Sequence, residues 1–127
     1  MARKINFRGK TLDELKAMTI DEVVMLFSSS SRRAVRRASM NYRKLIEKIS
    51  RIAGKKPIKT HVRAAVILPA WVGTHFKVHN GKEYKDVMVT EAMIGHRLGE
   101  YSHTTSRVLH SGPGVGATRG SKFIPLK

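Results

Sequence analysis

The stretch THFKVHNGKEYKDVMV, residues 74–89, decides the fold. Two runs in which apolar residues alternate with polar ones flank Asn80-Gly81, the strongest short sequence signal for a β-hairpin. A strict two-residue turn would place the apolar Val78 opposite Glu83 and Phe76 opposite Lys85. A three-residue turn places Val78 opposite Tyr84 instead, so that apolar residues face each other. We therefore predict an antiparallel hairpin in the second of these registers.

The sequence on either side of the hairpin completes a small predicted core. Residues 61–68 are rich in Val, Ile and Ala and end before Pro69, so we predict a third strand there. Short helical turns are predicted to end at Gly73 and Gly95, and Trp71 is expected to be buried rather than free to stack on a base. The expected fold class is α+β, with a small three-stranded, mostly antiparallel sheet and helices.

The chain before this core is predicted to be helical. Capping-box patterns begin at Thr11 and Thr19 and indicate two short helices. A run of serines then precedes an Arg-rich helix, and residues 41–53 have the apolar spacing of an amphipathic helix. The second short helix has an apolar face that must be buried, formed by Ile20, Val23, Val24 and Phe27 and widened by Met25 and Leu26.

The composition describes one domain with basic appendages. The chain has 127 residues, 41% of them apolar, and 25 Lys and Arg against 9 Asp and Glu, for a formal net charge of +16. It has no Cys, which excludes disulfide frameworks, thiolate metal sites and cysteine nucleophiles. No run of 18 apolar residues is present and the basic start leads into no apolar stretch, so we expect neither secretion nor a membrane span.

The charge is concentrated in blocks. The net charge is +4 over residues 1–10, −3 over 11–31, +10 over 32–59 and +4 over 102–127. The acidic block either packs only on its own domain or is also a docking face for a basic neighbour. The predicted segments are a basic arm ordered only by a partner, a helical extension, a core and a basic Gly-rich tail, at residues 1–10, 11–58, 59–105 and 106–127.

So large a positive charge favours a polyanionic partner, and nucleic acid foremost. An anionic membrane surface is less consistent, because no basic amphipathic helix has Trp, Phe and Leu massed on its other face. Arg32, Arg33, Arg36 and Arg37 share one helix face without an acidic partner at i±4. Because paired guanidinium donors suit phosphate oxygens, we interpret this face as a nucleic-acid contact rather than a solvated surface.

The sequence contains no convincing catalytic pattern. His75 and His79 have the spacing of a metal pair, but they fall on a strand and lack a third ligand nearby. Glu91 and Glu100 lack an apolar pocket that would raise the pKa of one of them. The Gly-rich tail does not have the order of a phosphate-binding P-loop. We predict no catalytic site, no metal and no cofactor.

From Asn80 onward the sequence closely resembles the signature of the small-subunit ribosomal protein S19 family. The matching residues are Asn80, Gly81, Lys82, Val89, Thr90, Glu91, Met93, Gly95, His96, Leu98, Gly99, Glu100, Tyr101 and Thr104. The resemblance extends upstream through Lys59, Thr60, Arg63, Ile67, Pro69, Val72 and Gly73, so it covers roughly residues 59–105. The preceding helical block resembles the one that archaeal and eukaryotic members have. Bacterial members lack this block.

The resemblance implies a structural, cytoplasmic protein in the head of the small ribosomal subunit. Such a protein binds small-subunit rRNA beside ribosomal protein S13, lies near the bridge to the large subunit, and directs its tail toward the decoding region and A-site tRNA. We expect no homo-oligomer. The alternatives are a DNA-compacting protein, favoured by charge alone, and a small phosphate-handling enzyme, which would need a pocket.

The predicted RNA contacts come from two sources. Lys82 and the loop from Gly95 to Gly99 are carried over from the resemblance, and residues outside the core are chosen by charge. The complete predicted set is Arg32, Arg33, Arg36, Arg37, Lys55, Lys56, Lys59, Arg63, Lys82, His96, Arg97, Arg107, Arg119 and Lys122.

Overall fold

The computed structural model describes residues 5–52, 56–112 and 114. Four helices precede a three-stranded sheet, which confirms the α+β class. The helices are α1 (Leu12–Ala17), α2 (Ile20–Leu26), α3 (Ser29–Arg36) and α4 (Met40–Ile52). The strands are β1 (Ile58–Thr60), β2 (His75–His79) and β3 (Tyr84–Met88), and single turns of 3₁₀ helix occupy Pro69–Trp71, Glu91–Met93 and Leu98–Tyr101.

The predicted hairpin is confirmed, but the predicted register is wrong. The sheet is mixed, since β1 pairs with β2 in parallel and β2 with β3 antiparallel. His79 lies opposite Tyr84 and Phe76 opposite Val87, so the connecting loop has four residues. This register places two buried side chains, Phe76 and Val87, across from each other on the core face. The predicted register would have set Phe76 opposite Asp86, because a slip of one residue reverses the faces.

The longer loop is stabilised by Asn80. Its side-chain Oδ1 accepts hydrogen bonds from the backbone N of Lys82 at 2.9 Å and of Glu83 at 2.8 Å. The backbone N of Asn80 donates to Glu83 O at 3.0 Å. Gly81 has a φ of +105° in this loop, a conformation that L side chains rarely adopt. These contacts are local, but the choice among loop lengths depends on which face of β3 is buried.

The predicted strand over residues 61–68 is wrong, and the third strand lies earlier, at β1. Residues 65–68 are buried, but their backbone pairs with the loop after β3 instead of with the sheet. Ile67 exchanges hydrogen bonds with that loop, donating to His96 O at 2.8 Å and accepting from Gly95 N at 3.1 Å. Apolar composition alone therefore indicated burial correctly and the hydrogen-bonding partner incorrectly.

One hydrophobic core joins the helices to the sheet. Tyr42 of α4 is buried, packs edge-on against Trp71 at 6.2 Å between ring centroids, and donates its hydroxyl to Val66 O at 3.1 Å. Burial raises the pKa of Tyr42 to about 12. Trp71 is 3% exposed, which confirms its predicted place in the core. The helices and the sheet share this core, and β1 begins at Ile58.

Both predicted capping boxes are present at α1 and α2. Glu22 accepts a hydrogen bond from Thr19 N at 2.9 Å, and this bond, with the Thr19 side chain, lowers the pKa of Glu22. Val23, Val24 and Phe27 are buried as predicted. The rest of the predicted apolar face is only partly right, because Ile20 is 63% and Met25 56% exposed.

Phe7 of the basic arm packs on the core of the chain itself, whereas we predicted that the arm is ordered only by a partner. Phe7 and Lys10 exchange backbone hydrogen bonds of 3.0 Å, which close a turn through Arg8 and Gly9. Phe7 packs edge-on against Phe27 with ring centroids 5.8 Å apart. Residues 1–4 lie outside the described residues. No helix in the described ranges is long and apolar enough to span a bilayer.

Candidate nucleic-acid interface

A surface dense in arginine lies on α3. An open groove of about 320 Å³ is lined only by Ser29, Arg32, Arg33, Arg36 and Arg37. The two ion pairs found within the described ranges involve other residues, so none of these arginines has a carboxylate within 4 Å there. Like charges at this spacing repel one another, and phosphate oxygens would relieve that repulsion.

Arg32 has a different role from the other three arginines. Its Nη2 donates to Met25 O at 3.0 Å and to Phe27 O at 3.3 Å, at the end of α2. Carbonyls at a helix C-terminus lack intrahelical donors, so Arg32 completes the end of α2. Its Nε is buried without a partner in the described part of the chain. Arg32 thus stabilises the junction between α2 and α3.

Three exposed guanidinium groups remain on this face, those of Arg33, Arg36 and Arg37. Arg36 makes only a sulfur contact, with its Nη2 3.4 Å from Met25 Sδ. No hydrogen bond from the side chain of Arg33 or Arg37 is formed within the described residues. These three side chains are therefore free to bind an external anion.

A second groove joins α3 to the loop after β3. Ser31 of α3 is buried and donates its hydroxyl to Gly95 O at 3.2 Å. Beside this contact, Arg8, His96 and Arg97 are the basic side chains that line a groove of about 290 Å³. Because Ser31 links the two elements, the predicted contacts on α3 and in the loop lie on adjoining surfaces.

Two glycines allow the loop to pack this closely. Gly95 has a φ of +83°, and a Cβ there would lie 3.3 Å from the Phe7 ring. A Cβ on Gly99 would lie 3.0 Å from both the Cβ and the carbonyl oxygen of Arg63. Gly99 therefore lets the loop backbone approach Arg63, and Gly95 lets it approach the Phe7 ring.

The imidazole of His96 is oriented by Glu100. His96 Nδ1 lies 2.8 Å from Glu100 Oε2, and the backbone N of Arg97 donates to Glu100 Oε1 at 3.2 Å. The side chains of His96 and Glu100 are 54% and 49% exposed. Glu100 thus holds the loop backbone and fixes the ring of His96, while both side chains stay about half exposed.

Arg63, also predicted to bind RNA, has its guanidinium directed into the protein. Nη1 donates to His79 O at 2.7 Å, while Nη2 donates to Gly99 O at 2.8 Å and to Ser102 O at 2.6 Å. Ser102 is fully buried and also donates its hydroxyl to Val78 O at 3.2 Å. Arg63 therefore ties β2 to the end of the third 3₁₀ turn, through three hydrogen bonds to backbone carbonyls of the chain itself.

The remaining predicted contacts are spread over the surface. Lys56, Lys59, Lys82 and Arg107 are exposed, but the structure does not bring them into either groove. Lys55, Arg119 and Lys122 lie outside the described residues. Arg8, which lines the second groove, is not among the predicted contacts. The apolar Phe7 inside the basic arm, followed by Gly9, was the signal for a turn packed on the core.

The candidate catalytic pairs are separated. His75 and His79 lie at opposite ends of β2. Glu100 is bonded to His96, while Glu91 lines a different groove with Thr11 and Asp13. Among the described residues, no group of three or more His, Asp or Glu side chains could hold a metal ion.

Comparisons with known proteins agree with the resemblance found in the sequence. A family model described as Ribosomal protein S19 matches residues 32–110. The chain is 46% identical over 131 residues to the small ribosomal subunit protein uS19 of Cenarchaeum symbiosum, with all of both chains covered. It is 44% identical to the protein of that name from Thermoplasma volcanium, over 99% of this chain and 83% of the relative.

A third relative of the same name, from Methanocella arvoryzae, is 42% identical over 98% of this chain and 88% of its own length. These relatives are archaeal, and their matches include the helical extension as well as the sheet. The predicted family and its archaeal or eukaryotic type are therefore supported along the whole chain. The chain belongs to the ribosomal protein S19 family.

Proposed function

We propose that this protein is a structural constituent of the small ribosomal subunit and binds small-subunit rRNA through two adjoining surfaces. The first consists of Arg33, Arg36 and Arg37 on α3, and the second is the loop groove with His96 and Arg97. The observation that carries the proposal is the α3 groove, which is lined by arginines and one serine. Guanidinium groups clustered on one helix face without carboxylates destabilise the helix by mutual repulsion, and a bound polyanion would neutralise them.

The form of the interface suits RNA. Structured RNA is recognised largely through its backbone, shape and 2′-hydroxyls, which calls for distributed Arg and Lys side chains. Exposed lysines on β1 and at the hairpin loop, Lys59 and Lys82, extend the positive surface away from α3. These features support a binding role without chemistry of its own, and we propose no enzymatic activity.

The finer position of the protein rests on its family resemblance. We place it in the cytoplasm, in the head of the small subunit, beside ribosomal protein S13 and near the bridge to the large subunit. Its tail would extend toward the decoding region and A-site tRNA. Residues 103–112 support an external partner for the start of this tail, because all are exposed, including Val108 at 68% and Leu109 at 78%.

The acidic helices remain a candidate docking face for a basic neighbour. Their buried face packs on the chain's own core, through Leu15, Val23 and Val24. Ile20 nevertheless stays exposed at the start of α2, directly before Asp21 and Glu22. RNA is an unsuitable partner for such a surface because phosphate and carboxylate repel, so any partner here would be a protein.

The proposal is tested by following an epitope-tagged full chain through sucrose gradients of cell lysate. We expect the chain in small subunits and complete ribosomes, with little in the free fraction. Exclusive recovery as free protein would overturn the proposal. A second comparison separates it from DNA compaction: at matched salt, the chain should bind a fragment of small-subunit rRNA more tightly than duplex DNA of equal length.

A further inference from the structure

Three aromatic rings meet at one end of the sheet. His61 directly follows β1, His79 ends β2 and Tyr84 begins β3. The His61 and His79 rings lie 4.4 Å apart between centroids with an interplanar angle of 34°. The Tyr84 ring stands edge-on to both, at 5.4 Å from His61 and 4.8 Å from His79.

Hydrogen bonds fix this cluster without any ligand. Tyr84 Oη and His61 Nε2 are 2.7 Å apart. The backbone N of Gly81 donates to His79 Nδ1 at 3.0 Å, and Arg63 Nη1 donates to His79 O at 2.7 Å. Rings that are already held in place lose little conformational freedom on binding, so the cluster is preorganised for contact.

The cluster is open to solvent. His61 is exposed, Tyr84 is 39% exposed, and His79 is half-buried beneath them. Lys59 Nζ lies 5.6 Å from the centroid of the Tyr84 ring. Aromatic faces bordered by a cation are the usual means by which proteins hold unpaired bases, because the rings stack on the base and the cation contacts its phosphate.

We propose that His61, His79 and Tyr84 form a stacking platform for an unpaired RNA base, with Lys59 contacting the adjoining phosphate. The inference rests on the proposed rRNA binding and goes beyond it, because it assigns base stacking to residues chosen neither by charge nor by the family signature. A metal site is the less suitable interpretation, since the cluster supplies only two imidazoles and one of them is bonded to tyrosine.

The test compares the full chain with two variants, His61→Ala and the matched control His75→Ala. His75 is an exposed histidine at the other end of β2, so its loss removes the same chemical group from outside the cluster. One probe is an oligoadenylate of about ten nucleotides, and the other is an abasic strand with the same number of phosphates. Because stacking contributes about 1 to 3 kcal/mol per base, His61→Ala should weaken oligoadenylate binding by about 5- to 150-fold.

The abasic strand isolates the stacking contribution. We expect all three proteins to bind it equally and His75→Ala to bind both probes like the native chain. Unchanged oligoadenylate binding by His61→Ala would overturn the platform, as would an equal loss of affinity for both probes. Either result would leave the proposed rRNA binding untouched, because recovery in small subunits measures that separately.

A measurement on the native chain avoids any dependence on variant folding. Ultraviolet irradiation of the complex with oligoadenylate should crosslink the base to the peptide that contains His61 or to the one that contains Tyr84. Peptide mapping by mass spectrometry locates the crosslink. Crosslinks found only at peptides outside the cluster would overturn the proposal.

Discussion

Replacing Arg33, Arg36 and Arg37 together by Gln should remove three phosphate contacts and leave the fold intact. The structure sets this number at three and not four, because Arg32 already donates to two carbonyls at the end of α2. Each phosphate contact contributes about 0.7 to 0.9 to the slope of log affinity against log salt. The triple variant should therefore lower the magnitude of this slope by about 2 to 3, and weaken binding about a hundredfold at about 0.1 M salt.

The matched control is Arg32→Gln, which should behave in the opposite way. It removes a donor from Met25 O and Phe27 O, so we expect a loss of about 1 to 3 kcal/mol in the free energy of unfolding. Its salt slope should change little. The triple variant should unfold at nearly the same urea concentration as the native chain, because it breaks no hydrogen bond to oxygen and relieves repulsion between like charges.

The assay is fluorescence anisotropy with a labelled fragment of small-subunit rRNA, titrated over a series of KCl concentrations, beside urea unfolding of each protein. An unchanged slope in the triple variant would remove α3 from the interface. An Arg32→Gln variant that lowers the slope as much as one of its neighbours, with no loss of stability, would refute the structural role assigned to Arg32.

Three further predictions concern the scaffold. Arg63→Lys should reduce the free energy of unfolding by about 2 to 4 kcal/mol in urea, because one ammonium cannot replace donors to three carbonyls, and a loss below about 1 kcal/mol would contradict this. Gly95→Ala should cost more than Gly73→Ala: both have positive φ, worth about 1 to 2 kcal/mol, but only the first Cβ meets the Phe7 ring, at 3.3 Å. Equal decreases in melting temperature for the two variants would contradict this, because they would show that the Phe7 ring moves aside at no cost. The raised pKa of Tyr42, about 12, means that its contribution to stability is full below its unfolded pKa near 10 and is lost between about pH 10 and 12. From about pH 10 to 12, the free energy of unfolding of Tyr42→Phe should fall by up to about 3 kcal/mol less than that of the native chain. Urea unfolding measured across this pH range checks this, and an equal fall in both proteins would refute the assignment.

The parts of the fold that the sequence predicted correctly are those set by neighbouring residues. The capping boxes at Thr11 and Thr19 use contacts three residues apart, and the turns at Gly73 and Gly95 need only a residue that tolerates positive φ. The hairpin at Asn80 is of the same kind. Each of these signals is complete within a few residues, so no knowledge of the rest of the chain is required.

The parts predicted incorrectly depend on distant segments. The register of the hairpin follows from which face of β3 the core covers, which is a property of the packed sheet. Residues 61–68 have strand-like composition, yet their backbone groups bond to residues 95–99, some 30 positions later in the chain. A strand pattern in sequence indicates an extended, buried segment and does not identify its partner.

The arginines of the candidate interface also differ in a way that depends on distant segments: some are hydrogen-bonded within the chain and others are not. Arg32 and Arg33 are adjacent in sequence and equal in charge, but only Arg32 reaches the unpaired carbonyls at the end of α2. Arg63, similarly, is held by three carbonyls from distant parts of the chain. The net charge therefore includes Arg32 and Arg63, although the guanidinium groups of both are already hydrogen-bonded to backbone carbonyls of the chain. The salt dependence of RNA binding should be smaller than +16 alone would suggest, because it is governed by the arginines and lysines that the fold leaves unbonded.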